Sequence, residues 1–392
     1  MRIGINALFL EHPETGSGQY TRNLLQALAK ADPTNKYLLI SPGPAPSVSE
    51  FQLPISNLQS PISNLQLPTS NLRENLAKLW FEQVAFPLAC RRLNLDLAHV
   101  PYFAPPLFPA VLTVVTIHDL IPLILPAYRG SPLVRLYTRL VAAAARRAEA
   151  IITVSQASKR DIVRYLHIPP ERVHITYEAA GEAFHPVKDE AQLAAIRQKY
   201  ALPEHYFLYL GGFDQRKNLS TLLRAFALLV NRQRAAGGEQ ARLVIVGQVP
   251  ARESPLFPDP RRLVRELGVE ERVIFTGWVP EGDKLALYTG ATAFVFPSLY
   301  EGFGLPAVEA LACGTPVIAS NRSSLPEVVG EGGILVEPTD AEALAEAMEV
   351  LLVDDVLRAE LQQRALTQAA KFSWKQTAQE TLAVYRKAVG CQ

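Results

Sequence analysis

The chain is poor in cysteine, almost without net charge, and free of long apolar runs. Its three cysteines, Cys90, Cys313 and Cys391, are odd in number and widely spaced. That pattern excludes a disulfide framework and a zinc-finger ligand set, and it fits a reducing, cytoplasmic setting. Lys and Arg total 39 against 38 Asp and Glu, a net charge of +1 over 392 residues. No global field therefore draws nucleic acid or an acidic polymer, and any anion site must be local. No apolar stretch approaches the ~20 residues of a membrane span, so the expectation is a soluble or at most peripheral protein. The apolar start, Met1 to Leu10, runs straight into Glu11, His12 and Pro13, which reads as a first strand rather than a secretory leader.

What is present points to two domains. An apolar fraction of 48% supports large cores, and the length exceeds one ordinary domain. Short β-rich runs alternate with helical stretches twice over, the pattern of parallel sheets covered by helices. The first set of strands is expected near 3–8, 37–40, 97–100, 112–116, 150–154 and 172–175, with helices over 19–31 and 133–147. The second set is expected near 207–210, 243–246, 273–276, 293–297, 317–320 and 334–337. Helices over 341–352, 356–370 and 374–389 follow. The change of domain is placed near 182–189, giving domains over 1–184 and 185–372 and a last helix over 373–392.

One region is unlike the rest. Pro54-Ile-Ser-Asn-Leu-Gln59, Pro61-Ile-Ser-Asn-Leu-Gln66 and Pro68-Thr-Ser-Asn-Leu-Arg73 repeat at seven residues. A proline in every copy excludes a continuous coiled coil, so the segment, about 52–73, reads as a surface insertion.

Chemistry concentrates at strand ends. Glu301-Gly-Phe-Gly-Leu-Pro-Ala-Val-Glu309 follows the apolar run Ala293-Phe-Val-Phe-Pro297. Pro306 suits the first turn of a helix that stops at Gly314. The glycines let backbone amides approach a ligand, and the helix start offers free N–H groups to phosphate or hydroxyl oxygens. A second segment, Gly211-Gly-Phe-Asp-Gln-Arg-Lys-Asn218, follows the apolar strand ending at Leu210. With Asn218 read as a helix N-cap, Arg216 and Lys217 oppose the helix dipole. An anion such as a diphosphate would complete that arrangement. Two solvated cations on a loop, and an acidic residue merely favouring a helix start, are the plain alternatives.

In the first half, Gly16-Ser-Gly18 lies between the first strand and a helix, a phosphate-binding possibility. Thr21 occupies the place of the third glycine of a dinucleotide fingerprint, which disfavours hydride transfer. His118 and Asp119 sit where the strand Leu112-Thr-Val-Val115 gives out, at the carboxyl end where ligands of open α/β sheets bind. Ser155 reads as a helix cap. Arg135, Arg139, Arg146 and Arg147 on an otherwise apolar helix could meet anionic lipid, or form a solvated face over a buried one.

Together these elements resemble the retaining glycosyltransferases of family 4, most closely its mannosyltransferase-like members, over nearly the whole chain. The resemblance implies the GT-B fold: two Rossmann-like α/β domains with parallel sheets facing across a cleft, and a C-terminal helix crossing back to the first domain. It implies transfer of a hexose, mannose from GDP-mannose by closest likeness, to a glycan or lipid-linked acceptor. By the same likeness Arg216 and Lys217 clamp the diphosphate, Glu309 holds the ribose hydroxyls, and Glu301 lies near the donor sugar. The amides around Phe303, Gly304 and Leu305, with Gly212, meet sugar and phosphate oxygens. Val279 in Gly277-Trp-Val279 borders the base, Gly16 and Gly18 face the diphosphate, and His118 with Asp119 meets the transferred sugar. No Asp-x-Asp sequence occurs, and with two fixed cations present the expectation is transfer without a metal or other cofactor. Where many relatives carry Pro-Asn-Gly-Val-Asp before the second domain, this chain has Tyr177-Glu-Ala-Ala-Gly-Glu-Ala-Phe184. A sugar phosphorylase or nucleotide-sugar epimerase of the same fold, or a non-catalytic sugar-nucleotide binder, are the alternatives.

Overall fold

The computed structural model describes residues 1–10, 12, 15–42, 71–236 and 241–390. The heptad copies lie outside them as far as residue 70, whereas the last three residues of the third copy, 71–73, open the helix Asn71–Trp80 instead of belonging to an insertion. The described chain forms two compact units, residues 1–178 with 373–392, and residues 179–372.

The first unit holds a six-stranded sheet of β1 (Arg2–Asn6), β2 (Lys36–Ile40), β3 (Leu97–Val100), β4 (Leu112–Ile117), β5 (Ala150–Thr153) and β6 (Val173–Ile175), in the order β2-β1-β3-β4-β5-β6. Every pairing is parallel. Parallel strands covered on both faces must be apolar throughout, and β3 and β5 are buried at every position. The last helix, Trp374–Ala388, belongs to this unit. Tyr20 meets Trp374 edge-on with ring centroids 5.9 Å apart, and the Thr377 hydroxyl donates to the Tyr177 carbonyl at 2.5 Å. Inside, the His99 imidazole bridges the Tyr385 hydroxyl at 2.6 Å and the Thr116 hydroxyl at 2.8 Å. Burial, then the charge of His118, pushes His99 down to about 3, so its ring is neutral.

The second unit holds β7 (Tyr206–Leu210), β8 (Arg242–Val246), β9 (Val273–Gly277), β10 (Ala293–Phe296), β11 (Val317–Ser320) and β12 (Gly333–Val336). Their order, β12-β11-β10-β7-β8-β9, is the doubly wound dinucleotide arrangement, with the connection reversing direction between β7 and β10. The loops leaving β7 and β10 therefore diverge from one crevice. All twelve strands lie where the apolar runs place them, within two residues at each end.

Local geometry differs from expectation at two helix starts. The helix Gly16–Ala31 begins at the first glycine rather than after it, because the Thr15 hydroxyl caps it by accepting from the Gly18 amide at 3.1 Å. A Cβ at position 18 would lie 2.1 Å from the His12 carbonyl oxygen, so only glycine fits there. Asn218 precedes the helix that starts at Leu219, and its side-chain oxygen accepts from the Thr221 hydroxyl at 2.8 Å. In left-handed conformation, φ +57°, it donates to the carbonyls of Pro297 at 3.0 Å and Pro338 at 2.6 Å, stapling the β7 loop to two others.

Candidate active site

At the β7–β10 crevice the two signature segments meet. The Leu299 amide donates to the Arg216 carbonyl at 2.8 Å, zipping the loops together. Arg216 Nη1 donates to Glu301 Oε2 at 2.7 Å and to the Tyr300 carbonyl at 3.1 Å, and Lys217 Nζ donates to Glu301 Oε1 at 2.7 Å. Arg216 Nε also lies 3.3 Å from Asp214 Oδ1. Lys217 stands 4.8 Å from the Phe296 ring centroid, a cation–π contact. The anion that the two cations call for is thus supplied, in part, by the chain. Glu301 is 7% exposed and Lys217 9%. Burial disfavours the Glu301 carboxylate, but Lys217 and Arg216 outweigh it and hold the carboxyl below its ordinary value. Burial, with Arg216 adding to it, lowers Lys217 in spite of Glu301.

The segment after Glu301 is fixed from beneath. The Ser324 hydroxyl lies 3.0 Å from the Glu301 carbonyl and 2.7 Å from that of Phe303, and the Ser323 hydroxyl accepts from the Glu301 amide at 3.1 Å. Neither serine was singled out by the motif, since nothing in their spacing announces a support. Gly304 takes φ +111°, and a Cβ there would press on Leu325 at 2.9 Å, so the turn into the helix Leu305–Ala312 requires glycine. The Phe303 side chain is buried, its ring edge-on to Phe372 at 5.6 Å, which leaves its backbone as the ligand-facing part.

Glu309 lies in the second turn of that helix, 7% exposed, and accepts from the Tyr288 hydroxyl at 3.0 Å. Burial pushes its carboxyl up from 4.5 to about 7, against the pull of Lys284 and Tyr288. Of the 277–279 turn, Val279 is buried while the Trp278 indole is 71% exposed.

In the first unit His118 follows β4. Its Nε2 faces the Pro101 carbonyl at 3.1 Å and its Nδ1 faces Glu178 Oε1 at 3.0 Å. Both partners only accept, so the site favours a ring that donates from both nitrogens, the protonated form. Burial opposes that charge, yet the hydrogen bond and charge of Glu178, then Pro101 and Asp119, hold the ring above its ordinary 6.5. Tyr20 packs edge-on against it at 4.7 Å, and the Ser158 hydroxyl donates to its carbonyl at 2.8 Å. Asp119 is turned to its own loop, accepting from the Ile121 amide at 3.0 Å. Glu178 falls in the segment where the sequence departs from its relatives' linker, which was the one available signal for it. Gly16 is open, with nothing within 4 Å of a Cβ, whereas the Gly18 amide is already taken by Thr15. Among the described residues no group of three or more His, Cys, Asp or Glu is placed to hold a metal ion.

Comparison with known proteins agrees with this geometry. Glycosyl transferases group 1 matches residues 194–369, and Glycosyltransferase Family 4 matches residues 15–179. The chain is 35% identical over 274 residues to O-antigen chain mannosyltransferase B of Escherichia coli, covering 70% of each chain. It is 36% identical over 269 residues to the serotype-specific mannosyltransferase WbdA of Escherichia coli, covering 68% of this chain but only 32% of that protein's length. Sucrose-phosphate synthase from Thermosynechococcus elongatus superposes with a TM-score of 0.74 at 25% identity, over the whole of both chains. Anabaena HepE in complex with UDP and glucose has a TM-score of 0.73 at 18% identity, over 98% of each chain. The protein belongs to glycosyltransferase family 4, with the GT-B fold.

Proposed function

We propose that the protein is a retaining, metal-independent mannosyltransferase that moves mannose from GDP-mannose to a hydroxyl of a glycan or lipid-linked acceptor, at the cytoplasmic face of a membrane. One observation carries the reading: half-buried Arg216 and buried Lys217 stand side by side at the topological switch point, where a departing diphosphate would meet two fixed cations. Such preorganised charge takes the place of a divalent ion in stabilising the leaving group. The relatives named as mannosyltransferases support the choice of sugar. Glu178 favours the protonated form of His118, which makes the ring a poor base, and by family likeness the donor phosphate accepts the attacking hydroxyl's proton in a same-face displacement. The amides of Gly212, Gly304 and Leu305 and the backbone of Phe303 line the donor. Gly16 lies open to approach, and Val279 borders the base through its backbone.

A thermal-shift titration with GDP, UDP, ADP and GDP-mannose, each with and without EDTA, tests this. Selective stabilisation by GDP and GDP-mannose that survives EDTA is expected, since a ligand of the native state stabilises it by mass action. No response to any nucleotide from folded protein would reject the donor site. Stabilisation by UDP or ADP instead would correct the base.

Glu309 adds a pH dependence. As a carboxylate it would accept both ribose hydroxyls, so nucleotide binding favours its deprotonated form. Below about 7, the value to which burial raises it, affinity is expected to fall, by up to about tenfold per pH unit. The free protein runs the other way. The native carboxyl keeps its proton above its unfolded value of 4.5, so stability drops by ~3 kcal/mol as pH rises from there to about 7. Calorimetry in buffers of different ionisation enthalpy should detect proton release on nucleotide binding. A pH-independent affinity would remove Glu309 from the ribose site.

A further inference from the structure

The sheet of the first unit is tied to its last helix by a run of buried hydrogen bonds that ends beside His118. Tyr385 of that helix, His99 in β3, Thr116 in β4 and Tyr20 in the helix Gly16–Ala31 are all fully buried. Their polar atoms meet in series: Tyr385 Oη and His99 Nδ1 at 2.6 Å, His99 Nε2 and Thr116 Oγ1 at 2.8 Å, Thr116 Oγ1 and Tyr20 Oη at 3.3 Å. Beyond Tyr20 comes Thr176, whose buried hydroxyl has no other partner among the described residues and faces the Tyr20 phenol.

Proton counting gives the series a direction. The Tyr385 hydroxyl has His99 as its one hydrogen-bond partner among the described residues, and a buried phenol that fails to donate forfeits that bond outright. Tyr385 therefore donates to Nδ1. The neutral ring then carries its proton on Nε2 and gives it to Thr116, the Thr116 hydroxyl donates to Tyr20, and the Tyr20 proton is left for Thr176. Run the other way, from Tyr20 towards Tyr385, the series ends on a proton that no acceptor receives. Burial holds the Tyr20 phenol well above its ordinary value, so it keeps its proton.

Both branches of this network bear on one pair. Tyr20 packs edge-on against the His118 ring at 4.7 Å. Thr176 stands two residues before Glu178, whose carboxylate holds His118 Nδ1 at 3.0 Å. The last helix reaches the same two places directly: Trp374 meets Tyr20 edge-on, and Thr377 donates to the carbonyl of Tyr177, between Thr176 and Glu178. Trp374, Thr377 and Tyr385 fall on one face of the helix, the third lying about three turns beyond the first. That helix supplies none of the candidate site residues, yet it holds their supports at three points.

We propose that Tyr20 is a positioning residue, anchored through Thr116 and His99 by the Tyr385 hydroxyl, and that the last helix thereby fixes how the His118 ring meets Glu178. The effect on His118 follows from this unit alone; its consequence for catalysis rests on the transferase reading. A misplacement of about 1 Å at such a group costs up to about a hundredfold in rate.

Full-length variants that cut the series without emptying space provide the test: Thr116→Val in the middle, Tyr385→Phe and Tyr20→Phe at the ends, and Thr116→Ser to restore the hydroxyl. Each cut is expected to lower kcat about tenfold to a hundredfold, with KM for the donor within about twofold of the parent. The alkaline limb of kcat/KM should move to lower pH as His118 loses its fit to Glu178. The groups facing His118 are the anions Glu178 and Asp119 and the neutral His99 and Tyr20. Thr116→Val removes none of them, so a moved limb reports their geometry. Thr116→Ser should return both kcat and limb. Imidazole nitrogen shifts should show parent His99 protonated at Nε2, and His118 signals displaced in the cut variants.

Melting temperatures should fall in every cut, since each strands a buried polar atom. Parental kcat, limb and His118 shifts in folded Thr116→Val and Tyr385→Phe would overturn the proposal and leave the series as interior bonding alone. So would a parent His99 protonated at Nδ1, or losses that Thr116→Ser does not restore. If Thr116→Val does not fold, the two phenylalanine variants decide the same question. Nucleotide titration of the same samples reports on the transferase reading, while the His118 shifts report on the series, so failure of one is distinguishable from failure of the other.

Discussion

Lys217→Met should lower transfer at least about a hundredfold and weaken donor-nucleotide binding, while the protein melts close to the parent temperature. The last part follows from the cluster at the crevice. Glu301 is held by two cations, so removing Lys217 leaves its carboxylate still paired with Arg216 at 2.7 Å. The methionine fills the space against Phe296 without stranding a charge. Arg216→Ala with Lys217→Ala is a different experiment. It strips Glu301 of both partners, and breaking a buried ion pair from one side costs about 3–5 kcal/mol. That double variant should be inactive and visibly destabilised. Adding Glu301→Gln should restore much of the stability and none of the activity. Scanning calorimetry and isothermal titration with GDP separate the two effects. Unchanged nucleotide affinity in Lys217→Met would dismiss the clamp.

The second large effect concerns Glu178, which holds the proton on His118. Without its carboxylate, only Pro101 and Asp119 are left to oppose burial, and the ring shifts toward neutral imidazole. His118 is raised in the folded protein, so its charge is present at low pH and lost as pH climbs through the raised value. Its share of stability follows the same course, complete below 6.5 and gone above the folded value. Charged and titratable neighbours on the packed elements are Glu178, Asp119, His99 and Tyr20, and of these His99 is neutral. For the parent, kcat/KM should hold to alkaline pH and then fall. In Glu178→Gln the fall should move to lower pH, with a loss of about a hundredfold at neutral pH that acidification partly reverses. Glu178→Asp should recover most of it. Imidazole nitrogen shifts in the two proteins report the protonation state directly. An alkaline limb at the same pH in parent and Glu178→Gln would show that the carboxylate only supports the loop.

The sheets were legible because buried parallel strands are written as unbroken apolar runs, and β7, Tyr206-Phe-Leu-Tyr-Leu210, is such a run, buried throughout. The signature residues were legible because glycines and paired charges at strand ends have few other uses. What stayed hidden depends on partners distant in sequence. The pairing of Arg216 and Lys217 with Glu301 spans about eighty-five positions, and no local rule foretells that the anion they seek is partly their own. Thr15 as a cap turned a supposed glycine loop into the first turn of a helix. Asn218 looked like a cap because Asn usually is one there, but the loops it staples come from far along the chain. Glu178 was visible only as a departure from a familiar linker.

The first unit is interrupted in sequence. Its last piece, residues 373–392, is synthesised only after the whole of 179–372. A nascent chain therefore has everything needed to complete the second unit before it can finish the first. Until the final helix arrives, His99 lacks its Tyr385 partner and the Tyr177 carbonyl lacks the Thr377 hydroxyl. These contacts join residues 286 and 200 positions apart, long-range closures of the slowest kind to form. Completion of the histidine end of the first unit thus waits for the last helix, a latch that is made only after the whole of the second unit.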